Sequence, residues 1–336
     1  MRRMMRSVAG VAIAAGLAMA GTACAETVQG HGRPTTAESR SYIHDYARLL
    51  FREHKPLDAW KRYFSAHLIQ HNPEIGDGGD ADVVFLEGRR KAHPEEYLGI
   101  DRYASVVDNL LADGDLVVAK TRVFTSEVDK GRTFIDMWRV NDGQFVEHWD
   151  IIQATPDAPL NDATMGCGHV ANYADALKAA DSVFHPTCGE PGPASHRAAS
   201  LAVVRAYLAL SDRKGGAAAV RRYIADDFVQ HSPHIAQGKA ALIAYFEKNA
   251  AERAKAGRHS ETARMLADGD FVLLHRRVTT REDPRGIVYA DLFKVRNGKI
   301  AEHWDVIQPI PPTSLAGHGM TAMPLEPGRT VGAPPV

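Results

Sequence analysis

Apolar residues recur at helical spacing over Ser39–Phe51 (Ile43, Tyr46, Ala47, Leu50), which predicts a first helix there. A second, shorter helix is predicted over Pro56–Ser65, ending before a His-Asn-Pro turn. Strand patterning then takes over, with strands predicted at Asp115–Ser126, Arg132–Val140 and Gln144–Ile152. The same order returns further along. Helices are predicted over Ala199–Leu210, Ala217–Ala225 and Lys239–Ala254, then strands over Asp270–Thr280, Gly286–Arg296 and Lys299–Ile307. A counterpart of the third helix is expected near Glu95–Leu111. Helices first and a curled antiparallel sheet after is an α+β pattern, used twice.

The two halves share letters as well as periodicity. EHWDIIQ at Glu147–Gln153 becomes EHWDVIQ at Glu302–Gln308, and Gln70-His71-Asn72-Pro73 becomes Gln230-His231-Ser232-Pro233. Ala112-Asp113-Gly114-Asp115 likewise returns as Ala267-Asp268-Gly269-Asp270. Self-similarity of this kind marks a duplicated domain. Gln70 and Gln230 lie 160 residues apart but Glu147 and Glu302 only 155, so the first copy carries about five extra residues, expected in a surface loop. In a chain of 336 residues, copy one is assigned to 39–153 and copy two to 198–308. Between them, 154–197 reads as a linker with one short helix at Asn172–Phe184. The segment 309–336 is rich in Pro and Gly, lacks an apolar period, and reads as a disordered tail.

Asp142-Gly143 and Asn297-Gly298 suit tight two-residue hairpins, which fix a register. Without a bulge, Asp136 faces Trp149 and Trp138 faces Glu147; in copy two Asp291 faces Trp304 and Phe293 faces Glu302. One sheet face then carries Asp136, Trp138 and Trp149, and the opposite face takes His148 and Asp150, or His303 and Asp305. A bulge anywhere along the hairpin exchanges these faces.

Charge narrows the partners. With 40 basic and 41 acidic residues, the chain has no basic excess with which to hold nucleic acid or an anionic membrane, so a small neutral or amphiphilic ligand is expected. Basic Met1–Arg6, apolar Val8–Ala20 and small Ala23-Cys24-Ala25 read as a signal peptide, 1–25, too short to span a bilayer. Periplasmic or secreted location follows, with a lipid anchor through Cys24 as the alternative. In an oxidising compartment Cys167 and Cys188 are expected to pair, closing a loop of about 20 residues that staples the linker rather than a core. His169 and His185 beside them make a zinc site the competing reading, but their spacing is unusual and the disulfide is preferred; no metal is assigned.

Asp136 and Asp291 sit among aromatics and aliphatics, where a carboxyl group needs either a raised pKa or a fixed partner. Either state suits proton transfer, with His71 and His231 as second members. The plainer reading is that each Asp hydrogen-bonds the indole of the facing Trp or an early backbone amide. His148 with Asp150, and His303 with Asp305, form either a dyad or an interface pair. No nucleophile elbow, phosphate loop or dinucleotide fingerprint is present, and no cofactor is called for.

The string from Tyr223 through Gln-His-Ser-Pro, Ala-Asp-Gly-Asp, Tyr289-Ala290-Asp291-Leu292-Phe293, Arg-Asn-Gly-Lys and Glu-His-Trp-Asp-Val-Ile-Gln resembles a SnoaL-like domain of the nuclear transport factor two superfamily. Copy one is similar over 40–153. The resemblance implies a cone-shaped domain, a curved sheet wrapped on helices around an apolar pocket, with a pocket Asp as acid-base catalyst in the polyketide cyclases of the family. Asp136 and Asp291 match that position, and Trp138, Trp149, Tyr289, Phe293 and Trp304 are the expected pocket walls. The expectation is an exported, cofactor-independent lyase, isomerase or aldol-type catalyst acting on a small carbonyl compound. The alternatives are a non-catalytic small-molecule binder and a partner-binding scaffold. Members commonly dimerise through the outer sheet face. Either an intramolecular pseudo-dimer or a homodimer is therefore expected, with His148, Asp150, His303 and Asp305 near the contact.

Overall fold

The computed structural model describes residues 33–94, 103–161, 165–168, 170, 172–180, 186–321 and 326–327. The signal segment 1–25, His169, His185 and the stretch 328–336 lie outside them. Helix α1 (Thr36–Ala47) starts at a capping box: Thr35 Oγ1 accepts from Glu38 N at 3.3 Å and the Glu38 carboxylate accepts from Thr35 N at 2.7 Å. Helix α2 (Pro56–Tyr63) ends two residues before its expected limit, because strand β1 (Phe64–Gln70) begins there. Helix α3 is Ala81–Ala92, so the counterpart of the third helix precedes the expected place. Of the segment 95–111 expected to hold a helix, 95–102 lies outside the described residues, and the remainder holds strand β2 (Ala104–Asp113), buried at nearly every position. Polar Ser105, Asp108 and Asn109 are buried along with the apolar residues, so the strand shows no clean two-residue alternation from which its type could be read.

Strands β3 (Leu116–Phe124), β4 (Arg132–Asn141) and β5 (Gln144–Ala154) complete a five-stranded sheet in the order β1-β5-β4-β3-β2. The second half repeats it after the linker helix α4 (Tyr173–Ala180). Helices α5 (Arg197–Lys214), α6 (Gly216–Tyr223) and α7 (Gly238–Lys255) accompany strands β6 (Ile224–Gln230), β7 (His259–Asp268), β8 (Phe271–Thr279), β9 (Ile287–Arg296) and β10 (Lys299–Pro309), in the order β6-β10-β9-β8-β7. The fold is α+β, as expected. The edge strands β1 and β6 join parallel to β5 and β10, so neither sheet is wholly antiparallel.

The expected hairpin register is corrected by one residue. Arg139 pairs with Glu147 while Val140 pairs with Phe145, which leaves Val146 as an extra residue; in copy two Lys294 pairs with Glu302 and Val295 with Ile300, leaving Ala301. Each bulge turns the following strand over. Asp136 therefore faces Asp150 and Trp138 faces His148, while Asp291 faces Asp305 and Phe293 faces His303.

Trp149 and Trp304 consequently lie on the reverse faces, in one apolar cluster with Ile135, Met137, Leu273, Leu292 and Val306 drawn from both sheets. Two reciprocal pairs of hydrogen bonds tie the sheets together. Gln308 accepts from Ile152 N and Gln153 from Ile307 N, both at 2.8 Å, and Asp268 accepts from Ala112 N and Asp113 from Ala267 N, both at 2.9 Å. Cys167 and Cys188 form a disulfide. It does more than staple a linker: Cys188 packs in the cluster between the sheets, and its backbone N donates to Asp108 O at 3.0 Å. The fully buried Asp108 binds Lys120 Nζ at 2.7 Å and Arg122 Nη2 at 3.0 Å, and Arg122 in turn donates to Cys167 O. The expected disordered tail is corrected for 310–321, since Ile310 and Met320 are buried and Thr313–Ser314 pairs with Glu326–Pro327. Among the described residues, no helix is long and apolar enough to cross a membrane.

Candidate active site

Between the helices and the inner face of the first sheet lies a cavity of about 160 Å³, whose lining includes Tyr46, Asp82, Asp136, Trp138, His148 and Asp150. The bulge at Val146 brings His148 and Asp150 here, not to the contact between copies. Trp149 is excluded from the cavity by the same shift. His71 is also absent. Strand alternation puts Gln70 and Asn72 on the inner side and His71 on the outer, where its ring stacks on Trp149 at 4.8 Å and its Nε2 meets Glu147 Oε1 at 2.9 Å. His231 repeats this, stacking on Trp304 at 4.4 Å with Nε2 at 3.1 Å from Glu302. The His that the sequence singled out in each copy supports the packing between the sheets, while its neighbours serve the cavity.

Hydrogen bonds fix the protons of copy one. Gln70 Oε1 accepts from Asn72 N at 2.9 Å, so that atom is an oxygen. His148 Nδ1, 2.9 Å from the same oxygen, must donate to it. In a neutral ring Nε2 is then a bare acceptor, 3.3 Å from Asp136 Oδ1. The contact closes when Asp136 brings the proton. Burial raises the Asp136 carboxyl to about 7 and lowers His148, so the proton rests on the carboxyl near neutrality. Two further carboxyls share the space. Asp82, in the first turn of α3, is pushed up to about 6 by burial; so is Asp150, whose Oδ2 accepts from Asn72 Nδ2 at 2.6 Å and whose Oδ1 is buried without a partner. Tyr46 accepts from Trp60 Nε1 at 3.2 Å, which leaves its own hydroxyl proton to give. The plainer reading of Asp136 as a partner of indole fails, because Trp138 and Trp149 Nε1 are both unpaired.

Copy two has the same frame and a different centre. Gln230 Oε1 accepts from Ser232 N at 3.0 Å and faces His303 Nδ1 at 3.0 Å, and His303 Nε2 lies 3.1 Å from Asp291. Here Arg276 intervenes, its Nε 2.6 Å and Nη2 3.2 Å from the two Asp291 oxygens. Arg276 and the His303 bond hold the Asp291 carboxyl far below the usual carboxylate range despite its burial. Asp291 is therefore a saturated ion-pair member with no proton to exchange near neutrality, and the expected catalytic role for it is withdrawn. The position of Arg276 in copy one is Thr121, and Leu242 stands where copy one has Asp82. The second cavity, about 920 Å³, is lined by Tyr289, Phe293, His303 and Asp305 but not by Trp304.

Asp136, His148 and Asp150 bring ligand atoms within 4.8 Å of one another, as do Asp291, His303 and Asp305, so each trio could hold a metal ion. In copy two the guanidinium of Arg276 occupies that neighbourhood and opposes a cation. Cys167 with His231 and Glu302 forms a third such group, but its sulfur is engaged in the disulfide. Four site residues escaped the sequence reading: Tyr46, Gln70 and Asp82 in copy one and Arg276 in copy two. Gln70 had a signal, since Gln230 repeats it beside the same His.

A family model described as a SnoaL-like domain matches residues 204–303. Among curated proteins nothing matches. Among solved structures, the chain is similar to a putative ketosteroid isomerase from Kribbella flavida at 18% identity and TM-score 0.28, covering 33% of this chain and 78% of that one. It is similar to a putative polyketide cyclase from Bacillus cereus at 20% identity and TM-score 0.28, covering 32% and 74%. An LEH-like epoxide hydrolase of M. tuberculosis gives 19% identity and TM-score 0.28, covering 33% and 84%.

Proposed function

We propose, from the SnoaL-like domain that residues 204–303 carry and from the carboxyl cluster enclosed by the other copy, that copy one is a cofactor-independent proton-transfer catalyst acting on a small carbonyl compound. The reaction class is lyase, isomerase or aldol-type. The observation that carries this reading is Asp136: it lines a cavity, its carboxyl is raised to about 7, and its one hydrogen-bond contact among the described residues is His148 Nε2. A general acid-base is most effective with a pKa near the working pH. As a carboxylate, Asp136 removes a proton from the carbon beside the substrate carbonyl. The Tyr46 hydroxyl is placed to support the oxygen as charge develops there, and Asp136 then returns the proton. His148 positions Asp136, its Nε2 accepting a hydrogen bond from the protonated carboxyl when the substrate is absent.

Asp136→Asn is expected to slow hydrogen–deuterium exchange beside the carbonyl of a small cyclic ketone, followed by NMR, by about 10²-fold or more. Exchange by the parent protein should rise with pH and level off above about 7. Equal exchange by the variant, or loss of exchange on chelator dialysis, would overturn the reading. For copy two the non-catalytic binding reading is favoured by one observation, the Arg276–Asp291 pair, and Asp291→Asn should leave exchange unchanged wherever the protein remains folded. Export belongs to the same proposal. The Cys167–Cys188 disulfide suits an oxidising compartment, and N-terminal sequencing of the mature protein should begin at Glu26; a lipid-modified Cys24 would replace that outcome with the anchored one.

A further inference from the structure

We infer that the cavity of copy two is a receptor for an amphiphilic anion, an apolar body ending in a carboxylate or phosphate, with Arg253 and Arg258 holding the charged end. Three arginines line this cavity. Arg276 is answered by Asp291. Arg253 and Arg258 make no ion pair or side-chain hydrogen bond among the described residues; their contacts are with ring faces, Arg253 at 5.4 Å from Phe246 and Arg258 at 5.3 Å from Tyr289. Both leave one turn of chain at the end of α7, where Arg258 N donates to Arg253 O at 3.3 Å across Ala256-Gly257. Helix C-terminal carbonyls offset part of this charge, but neither guanidinium fork has an acceptor among the described residues. Burial works against the Arg253 charge, and the neighbouring Arg258 and Arg276 add to the strain.

The carboxylates nearby do not cancel the pair. Asp291 is committed to Arg276, burial holds Asp305 towards its neutral form, and Asp212 is exposed. Deeper in, the lining is apolar, with Ile224, Phe228, Leu242, Leu274 and Phe293. A volume of about 920 Å³ accommodates a ligand far larger than the cavity of copy one can hold. Guanidinium forks recognise carboxylate and phosphate oxygens through paired, charge-assisted hydrogen bonds. A long apolar tail with an anionic head satisfies both ends of this cavity.

The test is titration calorimetry of the full chain with dodecanoate, decyl phosphate, dodecan-1-ol and dodecylammonium. Both anions should bind at least about tenfold more tightly than the alcohol, with the ammonium weakest. The relative strength of carboxylate and phosphate names the head group. Arg253→Gln with Arg258→Gln should weaken the anions about tenfold or more and leave the alcohol unchanged, while the double Lys variant retains most of the affinity. Alcohol or ammonium binding as tightly as the anions, no anion binding, or an unchanged double Gln variant would each overturn the proposal. The head-group ranking needs no variant, so it stands even if the substitutions impair folding. Asp136→Asn should bind dodecanoate normally, which separates failure here from failure of proton transfer in copy one.

Discussion

At the scale of residues, the same aspartate does opposite things in the two copies, and one cross-strand neighbour decides which. Thr121 leaves Asp136 without a countercharge, so burial raises it to about 7; Arg276 gives Asp291 a partner, and the carboxyl falls. The signs of the pH linkage follow. Between about pH 4 and 7 the folded state keeps the Asp136 proton that the unfolded chain has released, so this group's contribution to stability declines as pH rises and is constant above that window. Asp82 and Asp150, both raised to about 6, act in the same direction. Asp291 contributes stability that is fully present above the ordinary carboxylate pKa and is lost as pH falls below it. Asp136→Asn is therefore expected to raise the melting temperature at pH 8, by roughly 2–4 °C per kcal/mol recovered, and to change it little at pH 4. Asp291→Asn should cost about 3–5 kcal/mol at pH 8, because it strands Arg276 in a buried site. Thermal melts of the two variants at both pH values check this, and equal signs at pH 8 would contradict the assignment of the two carboxyls.

At the scale of elements, the α+β order, the duplication, the hairpin turns and the Cys pairing were legible in the sequence, because each rests on letters close together or on an outright repeat. Asp136 and Asp291 stood out as carboxyls among apolar neighbours, and both do line cavities. The faces of β5 and β10 were not legible. Val146 and Ala301 are ordinary strand residues, with no Gly or Pro to mark a bulge, yet one extra residue reverses every side chain after it. That single step misplaced Trp149, Trp304, His148, Asp150, His303 and Asp305 together. The His71 and His231 error has a separate cause: β1 and β6 run directly out of helices, and no strand was expected between the helix limits at Ser65 and Ala225 and the His-containing turns, so their alternation went unseen. Arg276 was visible as a letter, but its partnership with Asp291 exists only across the β8–β9 pairing. Deleting Val146 tests the importance of the bulge. It should force Trp149 toward the cavity and expose His148 and Asp150 to the contact between sheets, lowering stability by roughly 3 kcal/mol or more in chemical denaturation. A deletion variant with the stability of the parent would show that the bulge does not set the register.

At the scale of the whole molecule, each sheet covers the reverse face of the other, with Trp149 and Trp304 in the shared cluster and paired Gln and Asp side chains repeating the same hydrogen bonds in both directions. That face is therefore satisfied inside one chain. Light scattering should find the full chain monomeric; an obligate dimer built through those faces would contradict the internal arrangement. Reducing the Cys167–Cys188 bridge should lower stability by about 2–4 kcal/mol, since it anchors the connecting segment to the core. The internal pairing also has a hereditary consequence. In an assembly of two identical subunits, any change at a given codon appears in both cavities, so a proton-exchanging carboxyl and a clamped one cannot coexist at the same position. Here the two positions are encoded separately. Thr121 and Arg276 could diverge while the surfaces that hold the halves together stayed alike, letting one cavity keep a titrating acid and the other become wide and cationic.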